Sequence, residues 1–385
     1  MRDLFDFQDT VLTSRVELTD IDKEIFKNFD YKFDGKTEFT VPHFPKIQND
    51  FSIGVIYGSS GSGKSSMLKQ FGKEQELVWN YNKTIASHFD SVEDAIERLG
   101  AVGLNTVPTW AKPRNVLSNG EGFRCDLARR LGSNIVIDEF TSVVNRDVAK
   151  SCSLSLYKYV KRKKLKNIVL ATCHDDILEW LQPDWVFNTD VRQFASRGLV
   201  RQPIEIRIVK GQKKYWELFK KHHYLTEELP SSVQVYLALW GDRIVGFSST
   251  ISLPGWTPPL YEGDTRLKWR EARTVVLPDF QGLGIGTRIS DAVGEIMLEQ
   301  NVRYYSKTSH IRMGEYREKS PLWRATVSNL KDRSSDKHDH KKRLIPLARD
   351  RICYSHEYIG INNKSYDPKY NRPNDGQMYL FSYTS

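Results

Sequence analysis

The sequence predicts an α/β protein in two parts: a phosphate-binding domain over residues 1–198 and an α+β domain over 199–385. Three observations carry that reading. Residues 58–66 read GSSGSGKSS between an apolar stretch, 53–57, and a helix-like run from Met67. A second glycine-rich loop, 281–287, again lies between a strand-like stretch and an amphipathic run. Finally, 385 residues exceed what one ordinary core holds.

Composition bounds the class. Apolar residues make up 39% and aromatics 12%, enough for packed cores rather than a disordered chain. No run approaches the roughly 18 consecutive apolar residues of a membrane span. The opening MRDLFDFQDT is too acidic and interrupted for a signal peptide. A soluble, cytoplasmic chain with no membrane partner is expected. Cys125, Cys152, Cys173 and Cys353 form no C-x-x-C pair, which favours reduced thiols over disulfides or zinc. His338 and His340 flank Asp339 in a charged run that reads as a solvated loop. Residues 1–200 hold 27 Lys and Arg against 27 Asp and Glu, so the net charge of +9 lies beyond residue 200. That half expects an anionic partner, either nucleic acid or a phosphorylated cofactor.

In chain order, 31–33 and 39–41 read as short strands about an Asp34–Gly35 turn. The strand 53–57 and the loop 58–66 follow. Strand candidates come next at 77–79 and 84–89, then a helix over 92–99 with Ser91 as its cap. A loop with Pro and Trp leads to 117–121 and a helix over 122–130. Ile135, Val136 and Ile137 form a buried-type strand ending in Asp138 and Glu139, and a strand over 168–172 ends near His174. The run KYVKRKKLK, 158–166, reads as a solvated basic face, with an anion-binding ridge as the sharper alternative.

The loop 58–66 has the context that makes G-x-x-x-x-G-K-[ST] a phosphate cradle. Gly58, Gly61 and Gly63 let backbone N–H groups turn toward phosphate oxygens. Lys64 would reach the β- and γ-phosphates of ATP, Ser65 would hold Mg²⁺, and Ser66 closes the motif. The later motifs, LSNGE, NIVIDE, SVVN and ATCH, stand in an order that resembles the ABC-type ATPases over roughly 25–190. The resemblance implies that Asp138 binds Mg²⁺, Glu139 polarises the attacking water and His174 senses the γ-phosphate. It also implies a head-to-tail ATP-dependent homodimer, in which Ser118 and Gly120 of one protomer cover ATP on the other. Tyr31 resembles the aromatic that stacks on adenine, and reads equally as an ordinary strand tyrosine. Asn119, Glu121 and Asn145 depart from the family pattern, and His88 sits nearest the usual place of a loop glutamine. With only about fifty residues between cradle and signature and no membrane span, a soluble ABC ATPase is expected rather than a transporter subunit.

The second half opens with a strand at 204–208 and a helix-like stretch over 214–222, next to the cluster His222, His223 and Tyr224. A hairpin over 234–249 and a strand over 271–277 come next, then QGLGIGT and a helix over 289–298. Strands are expected again at 303–307, 352–354 and 378–383. Strand, QGLGIG and helix resemble the GNAT acyltransferases over roughly 205–330, with Gln281, Gly284 and Gly286 matching their loop and Gly282 and Thr287 completing it. The resemblance implies that the loop grips the pyrophosphate of acetyl-CoA. Acyl transfer to an amine needs a base and an acid. Glu271 is the base candidate, and Tyr316 or His310 the acid. Arg270, Arg273, Arg288, Arg303, Arg312, Arg317 and Arg324 interleave with Trp269, Tyr304, Tyr305 and Trp323, which suits nucleic acid, the 3′-phosphate of CoA or core edges alike.

Together these readings give an ABC-type ATPase fused to a GNAT-like acetyltransferase, a pairing that resembles virus- and prophage-encoded fusions. The expected cofactors are ATP, Mg²⁺ and acetyl-CoA. The acyl acceptor is not specified by the sequence, and nucleic acid is one candidate. The alternative is an ATP-gated dimeric clamp whose GNAT fold binds a partner without catalysis.

Overall fold

Three short apolar runs, IGVIY, IVI and IVLAT, lack polar alternation because parallel strands are covered on both faces. In the computed structural model, which describes residues 10–41, 50–196, 203–223, 228–253, 266–330, 353–360 and 379–384, they form the middle of one sheet. The chain divides into two units, Met1–Val102 with Pro113–Val200, and Gly103–Lys112 with Arg201–Ser385. The sequence reading kept 1–198 together. Contacts instead group ten of those residues, Gly103–Lys112, with the second unit. Class is α/β, as the sequence predicts. Among the described residues, no helix is long and apolar enough to cross a membrane.

The first unit begins with β1 (Thr10–Arg15), α1 (Asp20–Asn28) and β2 (Lys36–Val41), followed by β3 (Ile53–Tyr57), α2 (Lys64–Leu68) and α3 (Val92–Ala101). The short α4 (Val107–Trp110) lies in the segment that groups with the second unit. Then come α5 (Asn119–Arg130), β4 (Ile135–Ile137), α6 (Arg146–Lys163), β5 (Ile168–Thr172), α7 (Leu178–Leu181), β6 (Trp185–Asn188) and β7 (Gln193–Ser196). The sheet order is β4-β5-β3-β6-β7, parallel except for β7. Ile56, Met67, Val169 and Trp185 pack in its core.

Three strands expected from sequence do not form. Residues 31–34 are irregular, and β2 pairs with β1, Thr10 opposite Val41. Gly35 at φ 81 turns the chain, and its carbonyl accepts from the Val16 N–H. Residues 77–79 are irregular because side chains of α5 take their polar groups: Arg129 donates to the Val78 carbonyl, and the Trp79 indole donates to Asp126. Over 84–89 the chain makes a 3-10 turn, Ile85–His88, closed by His88.

The second unit holds β8 (Ile204–Gly211), 3-10 turns at Lys213–Leu218 and Lys220–His222, β9 (Gln234–Trp240), β10 (Arg243–Ser252) and β11 (Lys268–Val276). After these come α8 (Ile285–Glu299), β12 (Arg303–Thr308), α9 (Ile311–Lys319), β13 (Trp323–Ala325), β14 (Tyr354–Tyr358) and β15 (Tyr379–Thr384). The sheet order is β13-β14-β12-β11-β10-β9-β8-β15. β8 alternates as the sequence suggests, with Ile204, Ile206 and Ile208 inside and Glu205 and Arg207 outside. The stretch expected as a helix over 214–222 is 3-10 instead. α8 begins four residues before the expected 289, directly after the glycine loop.

One pairing shapes this sheet. β11 and β12 are parallel and pair only from Lys268 opposite Arg303 to Arg270 opposite Tyr305. Beyond that point β11 runs on to Val276 and β12 to Thr308, so the strands part. On its other edge β11 carries a bulge: Arg273 pairs with Ser249 and Glu271 with Thr250, leaving Ala272 outside the ladder.

α8 lies close on β14. A Cβ on Gly294 would come within 2.5 Å of the Tyr358 ring, whose hydroxyl donates to Glu295. In an open helix Gly→Ala gains about 1 kcal/mol. Here the collision outweighs that gain, and Gly294→Ala should cost about 1–3 kcal/mol in denaturant unfolding of the full chain. A rise in the unfolding midpoint would show this contact to be slack.

Candidate functional site

The loop 58–66 sits at the carboxyl end of β3, the position where open α/β sheets bind ligands. Gly63 is at φ 89 as the N-cap of α2, a left-handed conformation that favours glycine, and its missing Cβ lets the Phe39 ring approach. Lys64 is buried. Its Nζ donates to the carbonyls of Gly58, at 3.0 Å, and Ser59, at 2.6 Å, so the loop wraps its own lysine. The loop is braced from β6: Ser59 donates its N–H and hydroxyl to Asp190, and Ser62 Oγ lies 2.6 Å from Thr189 Oγ1. Those bonds with Ser59 hold the Asp190 carboxyl below its ordinary value. Nothing in the local sequence marks Thr189 or Asp190 as partners of this loop.

Asp138 and Glu139 lie just past β4, and His174 just past β5, on the same carboxyl edge as the loop. Glu139 is at φ 49 and accepts from Ser142, while Asp138 accepts from the Glu139 N–H. Nδ1 of His174 lies 3.2 Å from Thr141 Oγ1. Burial and the neighbouring Arg146 hold His174 below its ordinary pKa. Ser65 and Ser66 are half-buried at the start of α2. Among the described residues no cluster of three or more His, Cys, Asp or Glu suits a metal. One hydroxyl and one carboxylate fit Mg²⁺ only in its usual manner, with nucleotide oxygens completing the shell.

Two of the three departures from the ABC pattern, Glu121 and Asn145, take part in helix caps. Ser118 and Glu121 form a reciprocal capping box at the start of α5: each accepts from the other's N–H. Asn145 caps α6, its Oδ1 accepting from the Val148 N–H. Ser118 is exposed and Gly120 half-buried. Tyr31 is 59% exposed and stacks on Phe33 with Phe26 at its edge, and the Phe39 ring lies against Gly63 of the loop. His88 is occupied in its own turn, where Nε2 accepts from the Asn80 N–H.

In the second unit the parted strands β11 and β12 line a cavity of about 320 Å³. Residues 271–276 form one wall, Lys307 to Met313 contribute another, and Phe280 to Thr287 close one end. Gly284, at φ 86, is the N-cap of α8 and carries no side-chain cap, so the first amides of a 15-residue helix open at that end. The Gln281 side chain is not aimed at a ligand: its Nε2 donates to the Val276 carbonyl, and its Oε1 accepts from the Asn105 N–H. Gly282, Gly286 and Thr287 line the cavity, and Thr287 Oγ1 donates to the Gly284 carbonyl. The arrangement fits a long cofactor with a pyrophosphate at the helix and an arm along 272–276.

The acid–base candidates fare differently. Glu271 lines the cavity, but its oxygens accept from Thr274, Ser306 and Arg317. Burial opposes its charge, yet Arg317 and the surrounding hydroxyls outweigh burial and hold the carboxyl below its ordinary value. A carboxylate so satisfied is a structural strut and a poor base. Tyr316 donates to buried Asp291 and is absent from the cavity lining; burial and that carboxylate push its pKa far up, which disfavours an acid role. His310 does line the cavity. It caps α9 through Nδ1, and burial holds it below its ordinary pKa, hence neutral near pH 7. His222 and His223 line the same cavity, while Tyr224 lies outside the described residues. Burial, then Arg273, pushes His223 down to about 4.

Of the seven arginines, Arg303 and Arg317 are buried, Arg273, Arg288 and Arg312 half-buried, and Arg270 and Arg324 exposed. Arg303 binds Glu357 at 2.7 and 3.1 Å with Arg324 on the same carboxylate, Arg317 binds Glu271, and Arg288 lies 3.4 Å from Asp291. Tyr304, Tyr305 and Trp323 are buried. The basic run after 158 lies on a solvated face, as the sequence reading has it: residues 161–164 are exposed, with Lys161 paired to Asp184 and Arg162 and Lys163 to Glu97. The buried aromatics agree with the core-edge reading and not with an open stacking surface. His338, Asp339 and His340 lie outside the described residues.

Residues 175–314 match the model of the acetyltransferase (GNAT) family. That match starts before residue 201, where the C-terminal segment of the second unit begins. No curated protein matches the chain. Among solved structures, the dimeric MJ0796, a bacterial ABC transporter cassette, matches at 17% identity and TM-score 0.33, over 44% of this chain and 95% of that one. Its dimeric post-hydrolysis state with ADP and Pi matches at 15% and 0.34, over 49% and 100%.

His223 gives the cavity a pH signature. Its folded pKa of about 4 lies below the ordinary 6.5, so the unfolded chain binds more protons between those values. Its contribution to stability is present above about 6.5 and is lost as pH falls toward 4. His223→Gln should flatten that part of the stability–pH curve, measured by denaturant unfolding. An unchanged slope would place the imidazole in solvent.

Proposed function

We propose that the second unit is an acyl-CoA-dependent N-acyltransferase working with an ABC-type ATPase in the first unit. The observation that carries the transferase reading is the wedge between β11 and β12, which ends on the Gly284-led start of α8. The amides of 284–287 would hold the pyrophosphate, and the backbone of 272–276, past the last β11–β12 pair at Arg270, would hold the pantetheine arm. Bound there, acetyl-CoA supplies an activated acyl group. This chain's residues would supply position and His223, an imidazole held neutral by burial that can take a proton from an amine acidified by bond formation. His310, whose Nδ1 accepts from the Met313 N–H and whose proton therefore sits on Nε2, suits the donor's part. His223 replaces Glu271 as the base in this reading, because Glu271 is committed to Arg317.

The ATPase reading rests on the motif order and the braced loop 58–66. Gly58, Gly61, Gly63, Lys64, Ser65 and Ser66 would hold ATP, Ser65 and Asp138 Mg²⁺, and Glu139 and His174 would act at the γ-phosphate. Ser118 and Gly120, on an exposed helix start, suit contact with a second copy in an ATP-dependent homodimer. Nucleic acid as the acceptor's class is supported by the net charge of +9 and not by Arg303 and Arg317, which are buried against carboxylates. The committed state of Glu271 and Tyr316 favours a second reading, an ATP-gated clamp with a non-catalytic GNAT fold. Acetyl-CoA turnover against a panel of protein and nucleic-acid amines separates the two.

Gly284→Asp forces a side chain into a left-handed backbone position and sets a carboxylate at the anion site. It should reduce CoA affinity at least a hundredfold in calorimetry and leave ATP hydrolysis unchanged. Equal CoA affinity would sink the transferase reading.

Glu139→Gln keeps the side chain's size and removes the charge that polarises water. ATP should then bind and persist, and light scattering should show ATP-dependent association. Lys64→Ala should remove both binding and association. If neither nucleotide nor mutation changes the mass in solution, the dimer proposal fails.

A further inference from the structure

We infer that Gly103–Lys112, which the chain contributes from between α3 and α5, is a positioning element of the acyl-CoA cavity in the second unit. The inference rests on the transferase reading and adds a part that the residues beyond 200 do not contain. Contacts group this segment with Arg201–Ser385. It is a built element and not a slack loop. Leu104 is fully buried, Thr106 and Thr109 nearly so, and the Trp110 indole donates to the Leu104 carbonyl at 2.8 Å. Pro108 stiffens the first turn of α4.

The point of action is one backbone donor. The Asn105 N–H reaches Gln281 Oε1 at 2.9 Å, and the same carboxamide donates to the Val276 carbonyl at 2.9 Å. Gln281 is thereby fixed at both ends, one end on the last residue of β11 and the other on Asn105. The turn it fixes runs straight into Gly282 and Gly284, both in left-handed conformation, and into the start of α8. Asn105 also lines the cavity. Removing its N–H leaves a part-buried amide oxygen without this donor, and the carboxamide can then swing, taking with it the geometry of the pyrophosphate loop.

Substitution at Asn105 separates the donor from the side chain. Asn105→Ala keeps the N–H and should lose clearly less CoA affinity than the variant without it. Asn105→Pro lacks it and should weaken CoA roughly tenfold, the usual scale of one hydrogen bond. The affinity for 3′-phospho-ADP, the half of CoA that contacts the loop, should fall in parallel. Gln281→Leu tests the same strut if the proline variant fails to fold, and should show the same loss. Because both variants cut one strut, the double variant should bind no worse than either alone. All are measured by calorimetry on the full chain. Equal CoA affinity in Asn105→Pro and wild type, equal losses in Pro and Ala variants, or multiplied losses in the double variant would each overturn the inference. A wild-type chain that does not bind CoA would overturn the reading of the cavity itself, and this inference with it.

Discussion

The second unit depends on a parallel pairing that stops after three residue pairs, Lys268–Arg270 against Arg303–Tyr305. Neighbouring strands normally satisfy each other's backbone groups. Where β11 and β12 part, something else must hold them and face the gap. Below the split, the Glu271 carboxylate gathers Thr274 from its own strand, Ser306 from β12 and Arg317 from α9. A buried carboxylate with three donors is costly to disturb. That is why the residue best placed by sequence to act as a base serves as the cross-brace of the cavity.

Two loops in this protein solve one problem with the same device. Each leaves a strand, turns on glycines and enters a helix through a glycine near φ 90, Gly63 at 89 and Gly284 at 86. A left-handed residue at the cap lets the chain reverse and leaves the first amides open. Each loop is then braced from a distance by polar contacts. In the first unit Thr189 and Asp190 hold Ser62 and Ser59; in the second, Gln281 is held by Val276 and Asn105. Backbone geometry makes each turn, and remote hydrogen bonds fix its shape.

The departures from the ABC pattern show how a local function can absorb a change of residue. Glu121 in place of glutamine completes a capping box with Ser118, and Asn145 in place of aspartate still caps α6. A capping side chain needs only an acceptor at the right spacing, so these positions tolerate the exchange.

Strand, glycine loop and helix were legible twice in the sequence because every determinant is local: apolar runs, glycines and helix periodicity lie within about 20 residues. The alternation in β8 and the cap at Ser91 were legible for the same reason. The failures share the opposite cause. Residues 31–34 and 77–79 have strand-like composition, but contacts made elsewhere decide them: β2 takes β1 as its partner, and Arg129 and Asp126 claim the polar groups of 78–79. Which arginine meets which carboxylate was equally hidden, since Arg317 and Glu271 lie 46 residues apart and Arg303 and Glu357 54. So was the 176-residue span from Asn105 to Gln281. The sequence by itself determined where strand, glycine turn and helix follow one another, because that is a property of consecutive residues. Only the tertiary structure decided which charges are spent on holding the fold and which face the cavity, because pairing between distant residues is set by packing and leaves no trace in local spacing.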